Sequence, residues 1–101
     1  MELRSNARID EILECGFRYA KYKLCLRYNR TKDEPRYTEY KLLLLRLKQE
    51  VGELEEAIDS LLNAHNNLEE YYYRLEKVAL EAADVINFAS MICDKTEAEE
   101  F

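Results

Sequence analysis

Glycine and proline are nearly absent from this 101-residue chain, with two of the first and one of the second. Strands and tight turns draw on both residues, and long helices avoid them. The scarcity argues against a strand-rich fold. There is one histidine, His65, and the three cysteines are Cys15, Cys25 and Cys93. They form no CxxC pair and no Cys/His zinc spacing, and their odd number gives no disulfide framework. Cys15 and Cys25 fall within an apolar helical pattern, so buried free thiols are expected. His65 sits in a short polar connection and is assigned no role. No apolar run approaches the ~20 residues of a membrane-spanning helix. The opening MELRSNARIDE lacks a signal-peptide core. The expectation is a cytoplasmic protein without a membrane partner.

What remains is rich in Leu, Glu, Ala, Lys and Arg, all good helix formers. The fold class expected is all-α, in one domain spanning residues 1–101. A domain of this size buries only about 60–70% of its surface. A few amphipathic helices would leave an apolar face uncovered, so a homo-oligomer is expected. Charge is divided along the chain. Residues 1–48 hold 12 Lys/Arg against 7 Asp/Glu, and residues 49–101 hold 3 against 14. A uniform nucleic-acid binder would not be divided in this way. An acidic half can hold cations, and a basic half can meet phosphates or the acidic half of another copy.

Three helices are expected. The first runs from about Ala7 to Arg30, with Ile9, Ile12, Leu13, Phe17, Ala20 and Leu24 recurring at three and four. Pro35, within Thr31 to Tyr37, marks the clearest break. The second helix runs from about Thr38, a possible N-cap, to Leu62. Its apolar stripe includes Leu43, Leu47, Leu54 and Ile58. At 100° per residue Glu50 lies at the stripe's edge and Glu53 about 60° further round. Glu55, Glu56 and Asp59 point away as a solvated face. Asn63 to Asn67 is a connection. The third helix runs from about Leu68 to Asp94, followed by an acidic tail over 96–101, frayed from Glu97 to Phe101. Consecutive tyrosines, Tyr71 to Tyr73, point different ways on it and read as packing residues.

Within the third helix, twelve of the sixteen residues from Val78 to Cys93 are apolar. A helix apolar on nearly all sides is expected in an interior. The exceptions, Glu81, Asp84, Asn87 and Ser90, follow one another at intervals of three and form a polar line. Buried carboxylates require a partner. For Glu81 that partner is a Lys or Arg, a proton, or a metal ion. Antiparallel packing of the second and third helices, favoured by the short connection, would bring Glu50 and Glu53 opposite Glu81 and Asp84. Four anions at close range repel, and a divalent cation would relieve them. Oxygen donors alone suit Mg²⁺ or Mn²⁺ better than Zn²⁺. The Glu-x-x-His of helical di-iron sites is absent.

The segments QEVGELEEAI (Gln49 to Ile58) and EAADVINFASMI (Glu81 to Ile92) resemble the two motifs of the MazG-like, all-α nucleoside triphosphate pyrophosphatase family. The resemblance covers about Tyr40 to Lys95. It implies that Glu50, Glu53, Glu81 and Asp84 hold Mg²⁺ (or Mn²⁺) at a triphosphate, with Glu50 and Glu53 as catalytic carboxylates. It further implies that Asn87 orients sugar or base and that Lys48, Lys77 or Lys95 meets phosphate. The activity implied is hydrolysis of an NTP or dNTP between the α- and β-phosphates, by a dimer or tetramer. One position departs from the pattern: the first acid of the first motif is Gln49 here. A phosphoribosyl-ATP pyrophosphohydrolase shares only the acidic framework. The alternative is a non-catalytic acidic helical-bundle interaction protein, its motif acids paired with the basic first helix. Nucleic-acid binding through Arg18 to Arg36 is disfavoured by the neighbouring acids.

Overall fold

The computed structural model describes residues 7–30, 34–64 and 67–100. They form three α-helices: α1 Ala7–Arg30, α2 Tyr40–Leu62 and α3 Leu68–Glu100. A single 3₁₀ turn, Pro35–Tyr37, precedes α2, and no strand occurs among the described residues. The chain is all-α, as its composition implied. Thr31, the start of the expected break, His65, and Phe101 at the end of the tail lie outside the described residues.

The helices form a layer with α3 in the middle. It packs against α1 on one side and α2 on the other, while the backbones of α1 and α2 do not approach each other among the described residues. The pairing of α2 with α3 is antiparallel. Tyr40 at the start of α2 donates from its hydroxyl to Glu99 Oε2 near the end of α3, at 2.9 Å. At the opposite end, the Arg74 guanidinium donates to Ser60 Oγ, also at 2.9 Å.

Local chemistry sets the helix ends. Pro35 occupies the first position of the 3₁₀ turn, where its missing N–H is harmless. The Glu34 side chain accepts from Arg36 N. The amide of Thr38 closes that turn by donating to Pro35 O at 3.0 Å. Thr38 therefore does not cap α2, as the sequence suggested. The residue before α2 is Glu39, whose side chain makes no capping bond. At α3 the Asn67 side chain accepts from Glu70 N at 3.2 Å, and Glu69 and Glu70 sit in the first turn, near the positive end of the helix dipole. The third helix also runs past Asp94, where it was expected to end. No glycine or proline follows that position. Lys95 pairs with Glu99 one turn on, at 3.4 Å, and Tyr40 holds the same carboxylate. These bonds keep the acidic tail helical instead of frayed.

The core is small. Leu43, Phe88 and Met91 are buried together, with Leu24, Leu47 and Ile92 packed around them. Ala20, Ala57 and Ala83 are buried as well, and such small residues let the helices approach closely. The rest of α1 is less covered than its periodicity suggested. Leu13 and Phe17 are more than 60% exposed. Cys15 and Cys25 are free and exposed, as is Cys93. The expectation of buried thiols fails because α1 packs only against α3, leaving its other faces open. For the same reason α3 is not enclosed on all sides: Ile86, Ala89 and Ser90 are exposed.

Candidate metal centre

The α2–α3 seam carries the acids. In α2, Glu50 lies on the inner edge and is buried, whereas Glu53, three residues on, is exposed, as a 100° turn per residue dictates. In α3, Glu81 is buried. Antiparallel packing sets them opposite one another. One carboxylate oxygen each from Glu50, Glu53 and Glu81 lies within 4.8 Å of the other two. They line an open cleft of about 700 Å³, whose walls also include Tyr73, Lys77 and Asp84.

Glu50 and Glu81 each have a basic neighbour that satisfies only part of the carboxylate. Lys77 Nζ lies 2.8 Å from Glu81 Oε1, and the Glu81 carboxylate in turn raises the Lys77 ammonium above its ordinary value. Arg46 approaches Glu50 Oε1 only to 3.9 Å, too far for a hydrogen bond. The second oxygens, Glu50 Oε2 and Glu81 Oε2, are buried and accept no hydrogen bond. Buried polar atoms almost always find a partner, so two orphaned anionic oxygens on one cleft are exceptional. Their consequence appears at Glu50, whose carboxyl is pushed up to about 7. Burial is the first cause; the hydrogen bond with Glu53 and its charge follow, then the charges of Asp84 and Glu81.

This donor set could hold a metal ion. It offers hard oxygens only, and a cation would supply what Glu50 Oε2 and Glu81 Oε2 lack. Asp84, the fourth carboxylate expected there, lines the cleft but stands outside the trio. Its Oδ2 is paired with Lys23 Nζ of α1 at 3.1 Å.

Two of the residues expected to meet nucleotide, Asn87 and Lys95, are committed elsewhere. The Asn87 side chain is buried and donates from Nδ2 to the Ala20 carbonyl at 2.8 Å, tying α3 to α1. Lys95 does not line the cleft. Its ammonium donates to Arg36 O at 3.0 Å and lies 4.9 Å from the centre of the Tyr40 ring. There it helps fix the 3₁₀ turn, which Arg36 also fastens through a bidentate pair with Asp94, both bonds at 2.8 Å. The Arg36 guanidinium holds the Asp94 carboxyl below its usual value. Asn87 was placed by motif offset and Lys95 by its charge, and neither registers which neighbouring helix a side chain meets.

The specific partners of the acids were not assigned from the sequence, although pairing with the basic first helix was the alternative and the Lys23–Asp84 pair is of that kind. Arg46 and Lys77 each stand four residues before their acid, a spacing that pairs charges on a helix and was visible in the sequence. No local signal connects Lys23 with Asp84, 61 positions away.

No protein-family model, curated protein or solved structure matches this chain. No described helix is long and apolar enough to cross a membrane.

Proposed function

We propose that this protein is a divalent-metal-dependent pyrophosphohydrolase, cleaving a nucleoside or deoxynucleoside triphosphate between its α- and β-phosphates to a monophosphate and pyrophosphate. The observation that carries the reading is the pair of donorless buried oxygens, Glu50 Oε2 and Glu81 Oε2, in a trio with Glu53. The motif resemblance supplies the reaction. Glu50, Glu53 and Glu81 hold Mg²⁺ or Mn²⁺, and Asp84 joins them when Lys23 releases it. A bound divalent ion supplies positive charge to phosphate oxygens and acidifies water. A carboxylate oxygen of Glu50 or Glu53 that the ion leaves free would take the proton of the attacking water. The absence of an acid at Gln49 leaves this role to Glu50 or Glu53.

The reading includes a homo-oligomer, dimer or tetramer. The radius of gyration, 16.1 Å, exceeds the ~13 Å of a compact chain of this length, and a second copy would cover the exposed stripe of Leu13 and Phe17. Light scattering would then return two or four times the chain mass.

A second reading also has an observation behind it. The Lys23–Asp84 pair is what a non-catalytic helical interaction protein would use to join its basic and acidic halves. The two readings separate on metal and on turnover. The native chain and Glu53→Ala are incubated with each common NTP and dNTP in Mg²⁺, Mn²⁺ or EDTA, and products are resolved by chromatography. Monophosphate and pyrophosphate from the native chain alone, abolished by EDTA, support the pyrophosphohydrolase. Diphosphate and phosphate would mean a different bond. No turnover and no metal-dependent rise in melting temperature would leave the interaction protein.

A further inference from the structure

One turn of α1 meets the acid-bearing helix closely. Ala20 is buried there, and its carbonyl accepts from Asn87 Nδ2 of α3 at 2.8 Å. Leu24 packs against the small core of Leu43, Phe88 and Met91. Between them, Lys23 lines the acidic cleft beside Glu50, Glu53, Glu81 and Asp84. Its ammonium lies 3.1 Å from Asp84 Oδ2, and the two side chains are 28% and 23% exposed. A pair so enclosed is screened less by salt than one on the open surface.

Asp84 follows Glu81 by three positions on α3, a spacing that puts both on one side of a helix. Its charge acts on the Glu50 carboxyl, so it lies within electrostatic reach of the trio. Yet the carboxylates that meet within 4.8 Å leave it out. The two lysines in the cleft differ in what they join. Lys77 pairs with Glu81 within α3, and its release would leave the packing of the helices unchanged. Lys23 comes from α1, and its release would remove a tie between α1 and α3. A divalent ion on the trio would bring two positive charges into a cleft that Lys23 already shares. Like charges repel, and Asp84 would divide its charge between ion and ammonium. Coupling of this kind is reciprocal: whatever the ion takes from the Lys23–Asp84 pair, the pair takes from the ion.

We infer that Lys23 is an internal counter-ion through which α1 regulates the cleft: its ammonium on Asp84 opposes a divalent ion on the trio, and the ion in turn loosens the turn of α1 that carries Lys23. The inference rests on the metal reading of the trio. In the metal-free protein the ammonium partly neutralises the acids and holds α1 against α3. With the ion bound, Asp84 loses its hold on Lys23, and that turn of α1 opens more often.

The test uses the full chain with Mn²⁺ alone, titrated by electron paramagnetic resonance. Native chain, Lys23→Met, Lys23→Arg and Lys21→Met are compared after circular dichroism has established that each is folded. Lys21→Met removes the same charge from α1 at a residue whose ammonium lies over the Phe17 ring, 5.8 Å from its centre, and so reports the general field. Lys23→Met is expected to bind Mn²⁺ at least about fivefold tighter than Lys21→Met. Lys23→Arg, which keeps the charge, should bind as the native chain does. Hydrogen exchange read by mass spectrometry follows the second effect and needs no variant. Saturating Mn²⁺ should speed exchange of the amides of residues 20–27 in the native chain, and should not do so in Lys23→Met. A pair with a structural role alone would produce neither difference. Equal Mn²⁺ affinities in the two Met variants, Lys23→Arg binding as tightly as Lys23→Met, or exchange in native α1 that bound Mn²⁺ does not speed would each overturn the counter-ion and leave the metal reading standing. Mn²⁺ bound by Lys23→Met but not by the native chain would support both. No Mn²⁺ bound by either would overturn the metal reading and the inference with it.

Discussion

Replacing Glu50 by Gln should stabilise the protein, and by an amount that depends on pH. The Glu50 carboxyl has its ordinary value of 4.5 in the unfolded chain and about 7 in the folded one. The folded state therefore holds this proton more tightly. Below pH 4.5 both states are protonated and no penalty exists. Between about 4.5 and 7 the unfolded chain releases the proton while the native chain retains it, so stability falls as pH rises. Above 7 the penalty is complete. A shift of this size, at 1.36 kcal/mol per unit, amounts to about 3 kcal/mol. For a chain of this length that corresponds to roughly 10–20 °C in melting temperature. Gln fills nearly the same volume and does not titrate. In metal-free buffer, melting followed by circular dichroism should find Glu50→Gln and the native chain nearly equal at pH 4.5. Their separation should widen to a plateau above pH 7. Titration of carboxylates away from the cleft shifts both proteins alike, so the difference reports Glu50 together with the acids whose charges act on it. Melting temperatures that run parallel from pH 4.5 to 8 would refute the reasoning, because the charge of Glu50 would then carry no folding penalty. Mn²⁺ at pH 8 should raise the native chain toward the variant, since the ion relieves the repulsion that Gln removes.

Other substitutions separate the frame from the site. Asn87→Ala deprives the Ala20 carbonyl of its buried donor; urea unfolding should show a loss of about 1–3 kcal/mol, while Mn²⁺ affinity should not change. Gly52 lies within α2, and a methyl group there would meet nothing within 4 Å; Gly52→Ala should add about 0.5–1 kcal/mol in the same assay. Lys77 is paired with Glu81 Oε1 and would compete with a metal ion there; Lys77→Met should tighten Mn²⁺ binding several-fold in a titration, and weaker binding would mean that the ammonium supports the site.

The helices were legible because their signals are local. Period and breakers alone gave the bounds of α1, and the buried Glu50 beside an exposed Glu53 followed from the angle between them. The site was legible in part for a related reason: E-x-x-E and E-x-x-D lie on single helices, and the short α2–α3 connection allows one packing direction. What periodicity could not convey was how many neighbours each helix would meet. Ile12, Leu13 and Phe17 form a correct apolar stripe that nothing among the described residues covers, and Cys15 and Cys25 are exposed with it. Asp84 and Asn87 are adjacent members of the same polar line, yet one turns to Lys23 and the other to the Ala20 carbonyl. Those partners lie on α1, more than 60 residues away, where no spacing rule reaches.

The way the acids are paired bears on why they are there. A network kept only for structure would satisfy both oxygens of each buried carboxylate, because an unsatisfied one carries the whole cost of its desolvation. Here Lys77 meets one oxygen of Glu81, Arg46 stands at a distance from one oxygen of Glu50, and the second oxygen of each is left without a donor. Apolar residues of similar volume would pack the same seam at no such cost. The chain has little stability to spare, since no large side chain among the described residues is fully buried. Destabilisation retained in so small a core, where α2 and α3 bring acids to one cleft, is what a site able to hold a cation would show.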